Sequence, residues 1–119
     1  MKLIDTSYFY DVVLSKDQAL VLDSYVLDLT LYELGNVLWK HYKKLKTISK
    51  SDYLTFQNSI LDLSLNVIRF DQCDFSAISS LADRFNLTFY DSAYVFYAKK
   101  YRLDLLTHDS LMKEAFEKI

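Results

Sequence analysis

Apolar residues in this chain follow two rhythms: short continuous runs that read as buried strands, and stripes at three- and four-residue spacing that read as helices. Residues 2–5 (KLID) predict a buried strand, followed by a helix from Ser7 to about Leu14. The stretch 17–24 fits neither rhythm, and 25–28 (YVLD) predict a second short strand. The clearest helix spans about 30–45, where Leu31, Leu34, Leu38 and Leu45 share a face flanked by Val37 and Tyr42. A further helix is expected from about Ser51 to Leu63, then a strand over 66–70 (NVIRF). The helix over 75–85 should stop near Asn86, a residue tolerated in the left-handed conformation that ends helices. Thr88 to Tyr101 reads as another helix, 103–107 (LDLLT) as a strand and Ser110 to Glu117 as a last helix. No repeat, low-complexity segment or linker interrupts the pattern, so residues 1–119 are expected to form one domain. Strands alternating with helices predict an α/β fold with a parallel sheet covered on both faces.

Composition narrows the class. With 51% hydrophobic and 25% charged residues the chain reads as an ordinary soluble globular protein, and no apolar run reaches the roughly 18 to 20 residues needed to span a bilayer. The opening MKLIDTSYFYD meets Asp5 too early for a secretory signal. Cys73 is alone, so it offers neither an intrachain disulfide nor a cysteine-cluster metal site, and the cytoplasm is the expected compartment. A net charge of −2 argues against coating nucleic acid through bulk electrostatics, while leaving room for an enzyme that meets RNA through a local basic patch beside a metal. Zero prolines and one glycine leave the turns to Asn, Asp, Ser and Lys. Most of the ten tyrosines and eight phenylalanines are expected in the core, with some exposed for partners.

Four acids map to the edge that matters in an open parallel sheet, outside the C-terminal ends of its strands. Asp5 ends the first strand, and Glu33 falls in the first turn of the 30–45 helix. Asp91 falls in the first turn of the 88–101 helix, and Asp109 directly follows LDLLT. Each also has a plain structural explanation. Thr30–Glu33 and Thr88–Asp91 fit the capping box, as does Ser49–Asp52, to which no chemistry is assigned. Asp109 suits the cap of the last helix, and Asp5 a turn with Ser7. Taken jointly, four carboxylates at one edge would repel one another and push their pKa values up. A hard divalent cation, Mg²⁺ or Mn²⁺, relieves that repulsion. No thiolate or imidazole pair competes: His41 and His108 lack ligand spacing, and His108 reads as a strand-end residue.

The same residues carry a resemblance to PIN-domain ribonucleases, and specifically to VapC-type toxins of VapBC toxin–antitoxin pairs. KLIDTSYFYD resembles the family's first strand, with its acid followed by Thr or Ser. DLTLYELGNVLWK resembles the second acidic motif, with Glu33 as the acid and Asn36 one turn later. LTFYDSAYVFYAKKYRLDLLTHDSLMKEA carries the third and fourth acids as Asp91 and Asp109. The similarity spans nearly the whole chain in order. It departs in a short region between Asp11 and Asp28, and in stopping right after the last helix, where many relatives add an edge strand.

The resemblance implies a PIN-like three-layer α/β/α sandwich with a central parallel sheet of four to five short strands. It implies a metal-dependent endoribonuclease that hydrolyses RNA phosphodiesters with water activated by Mg²⁺ or Mn²⁺. Asp5, Asp91 and Asp109 would bind the metal directly or through water, and Glu33 would complete the shell or orient the attacking water. Ser7, Asn36 and Thr107 would fix carboxylate rotamers. Among Lys40, Lys43, Lys44, Lys46 and Lys50, Lys40 lies two turns from Glu33 and is the candidate for an RNA phosphate. The others, with Lys99, Lys100 and Arg102, read as surface, and Trp39 as core or interface. The implied partners are RNA, a small VapB-like antitoxin covering the acidic site through a hydrophobic or aromatic groove, and a second copy in a homodimer. The alternative is a PIN-like protein-binding module with weak or lost nuclease activity. Phosphoryl transfer to aspartate fits poorly. Haloacid-dehalogenase-like phosphatases need a second Asp where Ser7 stands. Response-regulator receivers need an acidic pair after the first strand and a strand-end lysine where this chain has Leu-Thr-His-Asp.

Overall fold

Successive residues of a strand point to opposite faces of its sheet, and here that alternation sorts the chain into layers. The computed structural model describes residues 1–15 and 18–119; Lys16 and Asp17, the latter opening the unassigned stretch 17–24, lie outside the described residues. Four strands, β1 (Lys2–Ile4), β2 (Ser24–Leu27), β3 (Asn66–Ile68) and β4 (Asp104–Leu106), pair in parallel in the order β3-β2-β1-β4. Leu3, Leu27 and Ile68 join Ile78, Val95 and Met112 of α5 (Phe75–Phe85), α6 (Phe89–Lys100) and α7 (Ser110–Lys118) in one core. Their strand neighbours Ile4 and Val26 join Phe9, Val12, Val21 and Leu34 of α1 (Thr6–Ser15), α2 (Gln18–Leu22) and α3 (Asp28–Trp39) in the other. The result is the expected three-layer α/β/α arrangement, with four strands.

The chain lays β2 and β3 on one side of β1, then returns to place β4 on the other. That reversal puts a switch point between β1 and β4, the place where open α/β sheets leave a crevice. Of the elements packed there, α6 is the most buried, with Ser92, Ala93, Tyr94, Val95, Tyr97 and Ala98 all removed from solvent.

The expected strands and helices form, with two corrections on the 30–45 helix. It starts earlier, at Asp28, and its α-helical part ends at Trp39, followed by one π-helical turn over Lys40–Lys44. Leu34 and Leu38 are buried as expected, but Leu31 and Leu45 are 39% and 50% exposed. The buried line runs Thr30, Leu34, Leu38 in four-residue steps, which leaves Leu31 to one side. Leu45 lies beyond the π turn, whose wider winding takes it out of phase. Residues 18–22 of the unassigned stretch form α2, and α4 (Lys50–Leu61) begins with Ser49 Oγ accepting from the Asp52 N–H at 3.0 Å. Phe9, Tyr94 and Tyr97 are the buried aromatics among the described residues. Tyr32, Phe70, Phe75 and Tyr90 are exposed instead, around a cleft of about 350 Å³. Trp39 is half-exposed on α3. No helix among the described residues is long and apolar enough to cross a membrane.

The single glycine is not where the backbone needs one. Gly35 sits inside α3, and a Cβ built on it meets nothing within 4 Å. The left-handed positions are instead held by Lys46 (φ 53°), Asn86 (φ 55°) and Arg102 (φ 56°). Asn86 ends α5 there as expected. Gly35→Ala should therefore raise stability by about 0.5–1 kcal/mol, and Arg102→Gly by up to about 1 kcal/mol, in urea unfolding. Gly35→Val, β-branched in a helix, should gain less than Gly35→Ala.

Candidate active site

Asp5 leaves β1 at the switch point and is 6% exposed. Its Oδ1 accepts from the Tyr8 N–H at 3.0 Å and from the Ser7 hydroxyl at 3.3 Å, which is the turn expected of it at the start of α1. Its Oδ2 accepts a short hydrogen bond from the hydroxyl of Thr107, the residue that leaves β4. The Asp5 N–H donates to the Leu106 carbonyl at 3.1 Å, so main chain and side chain both tie β1 to β4. Asp109 caps α7: its Oδ1 accepts from the Leu111 and Met112 N–H groups at 2.8 and 3.1 Å. Its own N–H donates to Thr107 Oγ1 at 3.1 Å.

Asp91 lies in the first turn of α6, where the Thr88 hydroxyl oxygen accepts from its N–H at 3.1 Å, as the capping pattern predicts. Glu33 departs from expectation. Because α3 begins at Asp28, Glu33 stands in its second turn, and the N-cap Leu27 offers no side-chain hydrogen bond. Thr30 does not cap: it is fully buried, with its hydroxyl 2.6 Å from the Tyr94 hydroxyl. Glu33 Oε1 lies 2.7 Å from Thr6 Oγ1 and 3.1 Å from Tyr94 OH.

All four acids line one cavity of about 550 Å³, together with Ser7, Asn36 and Tyr94. None is paired with a basic side chain: among the described residues Lys100 pairs with Asp74 and Lys118 with Glu114, and His108 lies against Asp11. Partial burial first, and then the charges of Asp109, Glu33 and Asp5, hold the Asp91 carboxyl above the usual aspartate range, against a lowering hydrogen bond from Thr88. An uncompensated set of oxygen donors suits a hard divalent cation in charge and in ligand type. The carboxylates line the cavity without closing on a common point. Among the described residues, no group of three His, Cys, Asp or Glu side chains is arranged to hold a metal ion as it stands. An arriving cation would have to draw them inward.

Ser7 and Thr107 hold Asp5, and Asn36 lines the cavity wall. Lys40 is exposed at the start of the π turn and is not part of that wall. Several wall residues carry no expectation from sequence, namely Thr6, Tyr10, Asp11 and Tyr94, and His41, which lacks ligand spacing in the sequence, joins them. Tyr94 had a signal, three residues after Asp91 and so on the same helix face. His108 is more than a strand-end residue. Its Nε2 lies 2.9 Å from Asp11 Oδ2 and its ring stacks on Tyr8 with centroids 4.7 Å apart. That contact bridges 97 positions and has no local signature.

The raised Asp91 pKa carries a stability sign. The folded state holds the Asp91 proton more tightly than the unfolded chain, so Asp91 costs stability increasingly as pH rises through its folded pKa. In metal-free buffer, Asp91→Asn should melt higher than the parent at pH 7. The difference should shrink as pH falls toward the ordinary value of 3.8, which melts in EDTA across pH would show.

Residues 2–117 match the PIN domain model. The fold is similar to the crystal structure of PAE2754 from Pyrobaculum aerophilum, with a TM-score of 0.81 and 27% sequence identity over 96% of this chain and 78% of that one. No curated protein matches the sequence. PIN domains are generally nucleases, hydrolases that bind nucleic acid. With its family model running almost end to end, this chain belongs to the PIN domain family.

Proposed function

We propose that this chain is a metal-dependent endoribonuclease that hydrolyses RNA phosphodiesters, acting as the toxin of a type II toxin–antitoxin pair. The observation that carries the nuclease reading is the convergence of Asp5, Glu33, Asp91 and Asp109, from separate elements, on one cavity with no basic side chain among the described residues paired to them. Those four side chains would hold Mg²⁺ or Mn²⁺, which when bound lowers the pKa of water and offsets charge building on the phosphate.

The chain's own residues then divide the work. Ser7, Thr107 and the Tyr8 N–H keep Asp5 fixed at the head of the crevice. Asp109 gives Oδ1 to its cap and has Oδ2 left for the cavity. Glu33, with Oε1 held, has Oε2 to complete the shell around the cation or to orient the attacking water. Asn36 donates from the wall toward a carboxylate or a phosphate oxygen. Lys40, exposed directly after Trp39 at the start of the π turn, takes a neighbouring phosphate of the strand.

The toxin role rests on the motif resemblance to VapC-type proteins, as does the homodimer, while the cytoplasmic setting rests on the lone Cys73. A small antitoxin would present a cation to the uncompensated cavity. It would present apolar side chains to the aromatic cleft that includes Tyr32 and Tyr90, the residues preceding Glu33 and Asp91.

Cleavage of a mixed RNA pool should require Mg²⁺ or Mn²⁺ and stop in EDTA. Asp5→Asn should lower the rate on the order of 100-fold or more. Cleavage that survives Asp5→Asn removes that residue from the reaction. Cleavage that persists in EDTA overturns the metal dependence.

A further inference from the structure

Three hydroxyls meet at Glu33 where α3, α6 and the start of α1 come together. Tyr94 OH lies 2.6 Å from Thr30 Oγ1, 2.8 Å from Thr6 Oγ1 and 3.1 Å from Glu33 Oε1. Thr6 Oγ1 lies 2.7 Å from the same Oε1. Thr30 and Tyr94 are 0% and 2% exposed, so neither can exchange a partner for bulk water without cost.

Proton counting orders the chain. Each hydroxyl has one proton, and Glu33 as a carboxylate has none. The 2.7 Å contact to Oε1 therefore takes the Thr6 proton. Thr6 then has only lone pairs to show Tyr94, so the 2.8 Å contact takes the Tyr94 proton. Tyr94 in turn has only lone pairs for Thr30, which donates across 2.6 Å. Three protons fill the three shortest contacts, and the 3.1 Å contact between Tyr94 and Oε1 is left as the weakest. Sending the Tyr94 proton to Oε1 instead would leave two hydroxyl oxygens 2.8 Å apart with no proton between them.

We infer that Tyr94 is a positioning residue, the middle link of a one-way relay from Thr30 through Tyr94 to Thr6 that fixes Glu33 Oε1 and reserves Oε2 for the cavity. Hydrogen bonds in series polarise one another, so the last donor to Glu33 is strengthened by the two behind it. The relay draws on the reading of the cavity as a divalent-cation site.

The test is Mn²⁺ binding to the RNA-free protein by titration calorimetry, well below the melting temperature. Cleavage kinetics are run beside it on the parent chain, Asp5→Asn, Tyr94→Phe, Thr30→Val and the double variant. Breaking the relay at either link should weaken Mn²⁺ binding about 10-fold to 100-fold. The losses should not add: the double variant should bind no more weakly than Tyr94→Phe, because both changes break one chain. Thr6→Ser keeps the hydroxyl and should bind as the parent does. A purely structural role would lower the melting temperature and leave Mn²⁺ affinity unchanged, and that result overturns the relay. If Tyr94→Phe does not fold, Thr30→Val, which keeps shape and volume, decides alone. Asp5→Asn separates the two levels of inference. Parent-like Mn²⁺ binding by Asp5→Asn, or none by the parent, overturns the cation site itself. Loss in Asp5→Asn beside full binding in Tyr94→Phe and Thr30→Val overturns the relay alone.

Discussion

Repulsion between like charges gathered at the β1–β4 switch point sets the terms for the residues around it. Two unit charges 4 Å apart repel by about 4 kcal/mol at the effective dielectric of a protein surface. A fold that only needed stability would answer with Lys or Arg. This one answers with neutral donors: the Tyr8 N–H, Ser7 and Thr107 at Asp5, the Leu111 and Met112 N–H groups at Asp109, and Thr6 at Glu33. Neutral donors solvate a carboxylate without cancelling its charge. The carboxylates are thus held in place with no basic side chain among the described residues paired to them, as the proposed divalent-cation site would require.

Three of the four acids also stand at helix starts. Asp5 precedes α1, Asp91 lies in the first turn of α6 and Asp109 caps α7. Exposed N–H groups and the positive end of the helix dipole favour anions there. At Asp109 the cap uses Oδ1 and leaves Oδ2 to the cavity, so the structural reading of that residue does not compete with a chemical one.

That overlap explains how far the chain could be read beforehand. The strands, most helix limits, the Asn86 stop and the four acids in order were legible because each is written in local spacing or residue type. The Thr30–Glu33 pattern misled. It has the form of a capping box, yet Thr30 is buried against Tyr94 on a helix 64 positions away and caps nothing. Leu31 and Leu45 were placed on the core stripe because a regular 3.6 period was carried through a segment whose buried line drifts and then passes a π turn. The Asp11–His108 contact and the hydroxyls around Glu33 depend on pairings between distant elements, for which a single sequence holds no local sign. Three acids in helix-start positions are visible in a sequence; the neutral shell that holds them is not.

The strand order has a consequence for the order of synthesis. β1 is made before the other three strands and β4 after them, yet they are hydrogen-bonded neighbours, and Thr107 reaches back 102 positions to Asp5. A nascent chain can pair β1 with β2 early, but one side of β1 stays an open edge until residue 106 is available. The acidic centre is likewise incomplete until Asp109 has been added. The core on that side of the sheet needs Met112 and Ala115 of α7, so a growing polypeptide closes its hydrophobic scaffold and its charged crevice at the same late stage.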